Sequence, residues 1–283
     1  MEHQLNRILA LLLTLPLSIS ACEKLDFTGA FVSEVPVNQR FEQSDEWNVL
    51  NPYREIVVPS DDYTIFSLAD CHAGGTKNLD YVLNTAKTTK ASAVVMAGDL
   101  TSGYSTDYSA FQQHLPDQDS LPTFQIAGNH DLFFDGWKEF QTRFGSSTYL
   151  FTVKTPEASD LYICLDTGGG TLGNKQLEWL INILETERSD FRHCIIFTHN
   201  NFFRPRHVET TNLLVEELHV LTDLFTKHNV EMVITGHDHK QDALLFGITT
   251  YIILDPLVDG ADNPGYMQIR VKNSKLEYEF MSL

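Results

Sequence analysis

The stretch from Glu231 to His239 reads Glu-Met-Val-Ile-Thr-Gly-His-Asp-His. Its apolar run, Met232 to Ile234, has the character of a buried strand. The run stops at Gly236, and two imidazoles follow on alternate positions, His237 and His239. A strand end that presents His-x-His aims two metal ligands at one point.

The same pattern recurs four times upstream. Ile65-Phe66-Ser67-Leu68-Ala69 runs into Asp70-Cys71-His72, and Ala93-Val94-Val95-Met96-Ala97 into Gly98-Asp99. Phe124-Gln125-Ile126-Ala127 runs into Gly128-Asn129-His130-Asp131, and Cys194-Ile195-Ile196-Phe197-Thr198 into His199-Asn200. Ligands of an open α/β sheet bind beyond the carboxyl ends of its strands, so these polar ends converge along one edge. The apolar positions Leu79, Val82, Leu83 and Ala86 have helical spacing between the first two strands. This makes a βαβ unit, whose right-handed crossover puts both ligand loops on the same side.

The ordered set Asp-x-His, Gly-Asp, Gly-Asn-His-Asp, His and Gly-His-x-His resembles the calcineurin-like metallophosphoesterase superfamily from Asp70 to His239. One Asp-x-His triplet carries little information; five motifs in order, each after a strand, carry much more. The resemblance implies a four-layer α/β/β/α sandwich with two mixed β-sheets and a dinuclear metal centre. It assigns one cation to Asp70, His72, Asp99 and His239, and the other to Asp99, Asn129, His199 and His237. Asp99 would bridge, since the two oxygens of a carboxylate can each face a different cation. These oxygen and imidazole donors suit two divalent or trivalent ions from among Mn, Fe, Zn and Co. His130 resembles the family's general acid for the leaving oxygen, and Asp131 the carboxylate that orients its ring. Ser102 stands where purple acid phosphatases carry a tyrosinate ligand, so their purple colour is not expected.

The 283 residues, 42% hydrophobic and 20% charged, suffice for one large α/β domain. A formal charge of −18 argues against a nucleic-acid surface, and a nuclease is therefore disfavoured. That charge is compatible with a small phosphate-ester substrate at a metal site, where bound cations dominate the local field. The expected activity is metal-dependent hydrolysis of a phosphomonoester or phosphodiester. The alternative is a non-catalytic exported protein that binds metal and a phosphorylated ligand.

Residues 1–21 read as a signal peptide: Arg7, then an apolar stretch too short for a comfortable membrane span. Ile19-Ser20-Ala21-Cys22 resembles the lipobox of bacterial lipoproteins, with Cys22 as the lipidated residue. The expected location is therefore exported, anchored to a bacterial membrane through this lipid alone. Residues 22–59 read as a tether with an accessory strand, with turn or edge segments at Gln39 to Ser44 and at Asn51-Pro52, and residues 60–283 as the enzyme domain. Cys71, Cys164 and Cys194 read as buried thiols, because Cys164 and Cys194 lie in apolar runs and strand alternation turns Cys71 away from Asp70 and His72.

Further helices are expected over 108–115, around Trp137, Phe140 and Phe144, around Leu177 to Leu184, and over 213–227. Strands are expected at 149–153 and 161–166, and alternation from Tyr266 to Phe280 indicates closing antiparallel strands. Asp166-Thr167-Gly168-Gly169-Gly170 lacks the lysine of a phosphate-binding loop and reads as a flexible turn. Arg204 and Arg206, just after the His199 motif, are candidate phosphate grips.

Overall fold

A computed structural model describes residues 35–52, 54–203 and 213–283. The signal segment, Cys22, Arg204 and Arg206 lie outside them.

The described residues open with helix α1 (Val37–Leu50) and strand β1 (Glu55–Val57). β2 (Tyr63–Leu68), α2 (Lys77–Thr88), β3 (Ala93–Ala97), α3 (Ser105–His114), β4 (Thr123–Ile126) and α4 (Gly136–Phe144) then form the first half. The second half contains β5 (Tyr149–Lys154), β6 (Ser159–Cys164), α5 (Gly173–Thr186), β7 (Cys194–Phe197), α6 (Val215–Lys227) and β8 (Met232–Thr235). Strands β9 (Asp242–Phe246), β10 (Thr249–Ile253), β11 (Gly265–Lys272) and β12 (Lys275–Ser282) close the chain.

These strands make a seven-stranded sheet, β1-β5-β6-β7-β8-β10-β9, and a five-stranded sheet, β12-β11-β2-β3-β4. Both are mixed. The β6-β7-β8-β10 block is parallel, as is β2-β3-β4, while β11 and β12 close antiparallel, as the alternation of the tail indicated.

Three apolar clusters give four layers. One lies between the sheets and joins Ile65, Val95 and Ile126 to Phe151, Phe197 and Ile234. The second packs Phe66, Val94 and Met96 under α2, α3 and α4 through Leu79, Phe111 and Trp137. The third packs Leu161, Ile196 and Val233 under α5 and α6 through Leu180 and Phe225. Phe124 of one sheet stacks on Phe151 of the other with ring centroids 3.8 Å apart, and Phe151 stacks in turn on Tyr162 at 4.8 Å. Strands buried on both faces read as continuous apolar runs, which is why the sequence marks them clearly.

The expected turns over Gln39 to Ser44 are corrected: those residues lie inside α1. This helix escapes a search for apolar periodicity because the side chains it buries are Arg40 and Ser44. Asn51 does close it, its N–H donating to the Trp47 carbonyl, and the following β1 pairs in parallel with β5. α3 begins ahead of the expected 108–115 span, because its exposed polar first turn carries no apolar signal. Cys71, Cys164 and Cys194 are buried free thiols. The Asp166 to Gly170 turn is largely packed inside the protein rather than a loose surface loop.

Candidate metal centre

Each expected ligand sits just beyond the carboxyl end of a parallel strand: Asp70 and His72 after β2, Asp99 after β3, Asn129 after β4, His199 after β7, His237 and His239 after β8. The chain must turn sharply there. Asp70, His72, Asp99, His237 and His239 all adopt positive φ, between 40° and 71°. Non-glycine residues pay for this conformation, and such residues cluster where geometry serves a function.

The sheets approach each other closely at Gly236. A Cβ there would stand 2.5 Å from both the Ala69 Cβ and Asp70 Oδ2. The His237 N–H donates to the Asp70 carboxylate at 2.9 Å from Oδ2, so Asp70 links the two sheets as well as facing the site. At Gly128 a Cβ would lie 2.2 Å from Asp99 Oδ1 and 2.3 Å from the Asp99 nitrogen. Only glycine permits these approaches.

The donors fall into two groups. Asp70, His72, Asp99 and His239 offer ligand atoms within 4.8 Å of one another, and so do Asp99, His199 and His237. His72 Nε2 and His239 Nε2 are 3.3 Å apart, and His239 Nε2 lies 3.1 Å from Asp70 Oδ1. In the second group His199 Nε2 is 3.1 Å from Asn129 Oδ1 and 3.3 Å from His237 Nδ1.

Asp99 belongs to both groups through a single atom: Oδ2 is 3.8 Å from His72 Nε2 and 3.2 Å from His199 Nε2. Oδ1 instead accepts the His130 N–H at 2.8 Å. The Gly128-Asn129-His130 loop thus packs against one oxygen of the carboxylate, and the other faces an imidazole of each group.

These donors fit cations. His199 Nδ1 donates to the Ala97 carbonyl at 2.9 Å, which fixes the tautomer and leaves the Nε2 lone pair facing the group. The local field is equally specific. Burial by itself would lower the His199 pKa, but the charge of Asp99, its hydrogen bond and the charge of Asp70 outweigh it and raise the pKa to about 9. Burial would raise that of Asp99, but His199 and then His130 hold it far below the usual carboxylate range. Close-packed imidazoles and carboxylates without a cation must share protons in this way.

His130 stands edge-on to His72 with ring centroids 4.6 Å apart, at the margin of the first group. Asp131 does not orient it. The Asp131 carboxylate accepts N–H groups of Leu100, Thr101 and Gly128 and the Thr101 hydroxyl, at 2.9 to 3.1 Å. It thereby fastens the Gly98-Asp99 loop to the Gly128-Asn129 loop. The residue is buried, and its carboxylate faces these donors rather than the His130 ring.

Two contributors escaped the sequence reading. Thr167 Oγ1 accepts the Asn200 N–H at 2.9 Å and the His199 N–H at 3.3 Å, and Asp166 is held by Arg40. Both residues end the β6 apolar run, so the strand-end rule that found the ligands also marks this place. No local signal marks Arg40.

The model of the family described as calcineurin-like phosphoesterase matches residues 63–241, more than half of the chain. The chain belongs to the calcineurin-like phosphoesterase family. The fold is similar to a dimetal phosphatase from Danio rerio: 13% identity over 78% of this chain and 98% of that one, TM-score 0.61. A purple acid phosphatase from yellow lupin seeds shares 13% identity over 80% of this chain and 52% of its own, with TM-score 0.58. GAP50, the anchor in the inner membrane complex of Plasmodium, shares 14% over 78% and 84%, with TM-score 0.57. No curated protein matches the chain in sequence. At such identities the likeness is one of fold, and the chemistry open to this member of the phosphoesterase family depends on its own side chains.

Proposed function

We propose that this phosphoesterase-family protein hydrolyses a phosphomonoester or phosphodiester at a centre holding two cations. The observation that carries the reading is that one oxygen, Asp99 Oδ2, lies within 4 Å of an imidazole in each donor group. A shared carboxylate oxygen is what two like charges need between them at the separation of a two-metal site, about 3.5 to 4 Å. Bound there, such a pair would supply a clamp on phosphate oxygens and a water of lowered pKa.

The chain supplies the rest. Asp70, His72 and His239 orient one side of the phosphate site, and Asn129, His199 and His237 the other. His130 gives its proton to the leaving oxygen, a role for which its partly buried place beside His72 suits it. Hydrogen bonds from His199 to Ala97 and from His130 N–H to Asp99 keep these donors from turning away.

Export and anchoring through a lipid on Cys22 are part of the same proposal, and their support is the sequence of the amino-terminal segment. No helix among the described residues is long and apolar enough to cross a membrane.

The test is metal analysis of wild type and Asp99→Asn beside a panel of phosphomonoesters and phosphodiesters. Two equivalents of metal with hydrolysis, both lost in the variant, support the reading. Metal uptake with no ester cleaved across the panel supports the non-catalytic binding alternative instead. Membrane fractionation of Cys22→Ser tests the anchor: release supports it, and unchanged sedimentation overturns it.

A further inference from the structure

Among the described residues the two sheets end in four edge strands: β1 and β9 in the seven-stranded sheet, β12 and β4 in the five-stranded one. Three of them are protected against pairing with a further strand. β1 is three residues long and carries Glu55, and β12 exposes Lys275, Glu277 and Glu279. Along β4, side chains take up open backbone groups. Thr123 N–H donates to Gln118 Oε1 at 3.0 Å, Ala127 N–H to the Ser147 hydroxyl at 2.9 Å, and the Gln125 carbonyl accepts the Tyr149 hydroxyl at 2.8 Å.

β9 is the exception. All its residues are exposed, and after Asp242 it reads Ala243-Leu244-Leu245-Phe246, without a charge. Leu244, Leu245, Phe246 and, in the turn that follows, Ile248 are 43%, 67%, 50% and 49% exposed. The direction of the β9 backbone follows from register. Thr250 N–H donates to the Glu231 carbonyl at 2.9 Å and Leu254 N–H to the Thr235 carbonyl at 2.8 Å, so the even-numbered residues along β10 bond towards β8. Thr249, Tyr251 and Ile253 then bond towards β9, where their partners are Phe246, Leu244 and Asp242. Ala243 and Leu245 are left with N–H and C=O groups aimed away from the sheet. The Asp242 carboxylate accepts the Ala243 N–H at 2.9 Å, and Leu245 has no such cap among the described residues.

We propose that β9 pairs with β9 of a second copy of this chain, antiparallel and centred on Leu245, so that the dimer has one continuous sheet. The inference is independent of the hydrolase reading. Centring on Leu245 lets the two copies exchange both N–H···O=C bonds at that residue, as a two-fold axis requires, and sets Leu244 against the partner's Phe246. Charge favours this meeting face: a chain of formal charge −18 repels its own copy, and residues 243–251 carry no charge. Lipid does not suit the strip, because hydrocarbon leaves the Leu245 N–H and carbonyl without partners, whereas a strand supplies both. The four side chains, about half exposed and roughly 200 Å² each, bring on the order of 400 Å² per copy, half the ~800 Å² of a standard interface. The dimer is therefore weak and reversible, with a micromolar Kd. Antiparallel pairing turns the two candidate metal centres towards opposite ends of the dimer, because His199, His237 and His239 follow the carboxyl ends of strands in this same sheet.

Sedimentation velocity over a concentration series tests the pairing, with the full chain carrying Cys22→Ser so that no lipid contributes. This parent should form a dimer as its concentration rises. Leu245→Lys sets like charges face to face, and Leu245→Pro removes the outward N–H while keeping an apolar side chain on an edge strand, where proline is tolerated. Each should raise Kd about 10-fold or more. Val57→Lys, on the opposite edge of the same sheet, should leave it unchanged. Hydrogen exchange of the Leu245 amide in the parent should slow in step with the dimer fraction. Leu245 is two-thirds in water, so both variants should melt with the dilute parent; if either melts lower, amide exchange in the parent decides. A parent that stays monomeric up to about 1 mM overturns the proposal. A dimer that both Leu245 variants retain, that Val57→Lys abolishes, or that leaves Leu245 exchange unchanged overturns it too, since each places the contact elsewhere. Flotation of a monomer with phosphatidylcholine vesicles, lost in Leu245→Lys and kept in Leu245→Pro, gives the strip to lipid and overturns it equally.

Discussion

Arg40 donates to both oxygens of Asp166, with 2.7 Å from Nε to Oδ2 and 3.1 Å from Nη2 to Oδ1. Neither side chain is more than 2% exposed. The pair joins α1, which precedes the segment matched by the family model, to the turn whose Thr167 holds the backbone of His199 and Asn200. Helix α1 thus braces one side of the candidate metal centre from ahead of the matched segment.

Removing one partner of such a pair leaves the other charge buried. Arg40→Ala should cost about 3 to 5 kcal/mol of stability. Arg40→Met combined with Asp166→Asn, which removes both charges, should cost less. Urea denaturation of the two proteins checks this, and equal losses would mean that the lost packing of Arg40 outweighs its charge.

Gly128→Ala introduces a Cβ where Asp99 Oδ1 and its backbone nitrogen already stand. The carboxylate must move, and both donor groups share it. Metal content should fall in both sites together. Loss of a single equivalent would show that Asp99 serves only one of them.

Metal uptake should release a proton. His199 has its pKa raised to about 9 in the metal-free site, so it is protonated at neutral pH, while a cation requires the neutral imidazole. Affinity should therefore rise with pH, up to tenfold per unit, and level off near that pKa. The sign for stability is the opposite. A folded pKa above the unfolded value of about 6.5 stabilises the metal-free protein fully below that value, and the gain is lost as the pH rises through the folded pKa. Calorimetry of metal binding at pH 7.5 in buffers of different ionisation enthalpy checks the release. Identical proton counts for wild type and His199→Asn would assign it elsewhere.

His130→Ala and Asp131→Ala should differ in kind. The first should slow esters with poor alkoxide leaving groups far more than nitrophenyl phosphates, which need little protonation. The second removes the acceptor for three buried N–H groups at about 1 to 3 kcal/mol each. Its main effect should be on the denaturation midpoint, with the dependence on leaving group retained. An Asp131 variant that matched His130→Ala in leaving-group dependence at unchanged stability would return Asp131 to the role of orienting the ring.

That the seven side chains from Asp70 to His239 come together was legible because each follows an apolar run buried on both sheet faces. That pattern is local, and parallel strands deliver their carboxyl ends to one side whatever the rest of the chain does. Which oxygen of Asp99 is shared, where the Asp131 carboxylate points, what Arg40 is for and that Tyr104 meets Phe134 were decided only by tertiary structure. Each depends on the direction of a hydrogen bond or ring contact between segments distant in sequence, which no local pattern carries. An apolar pattern records that a residue is buried; it does not record what the residue faces.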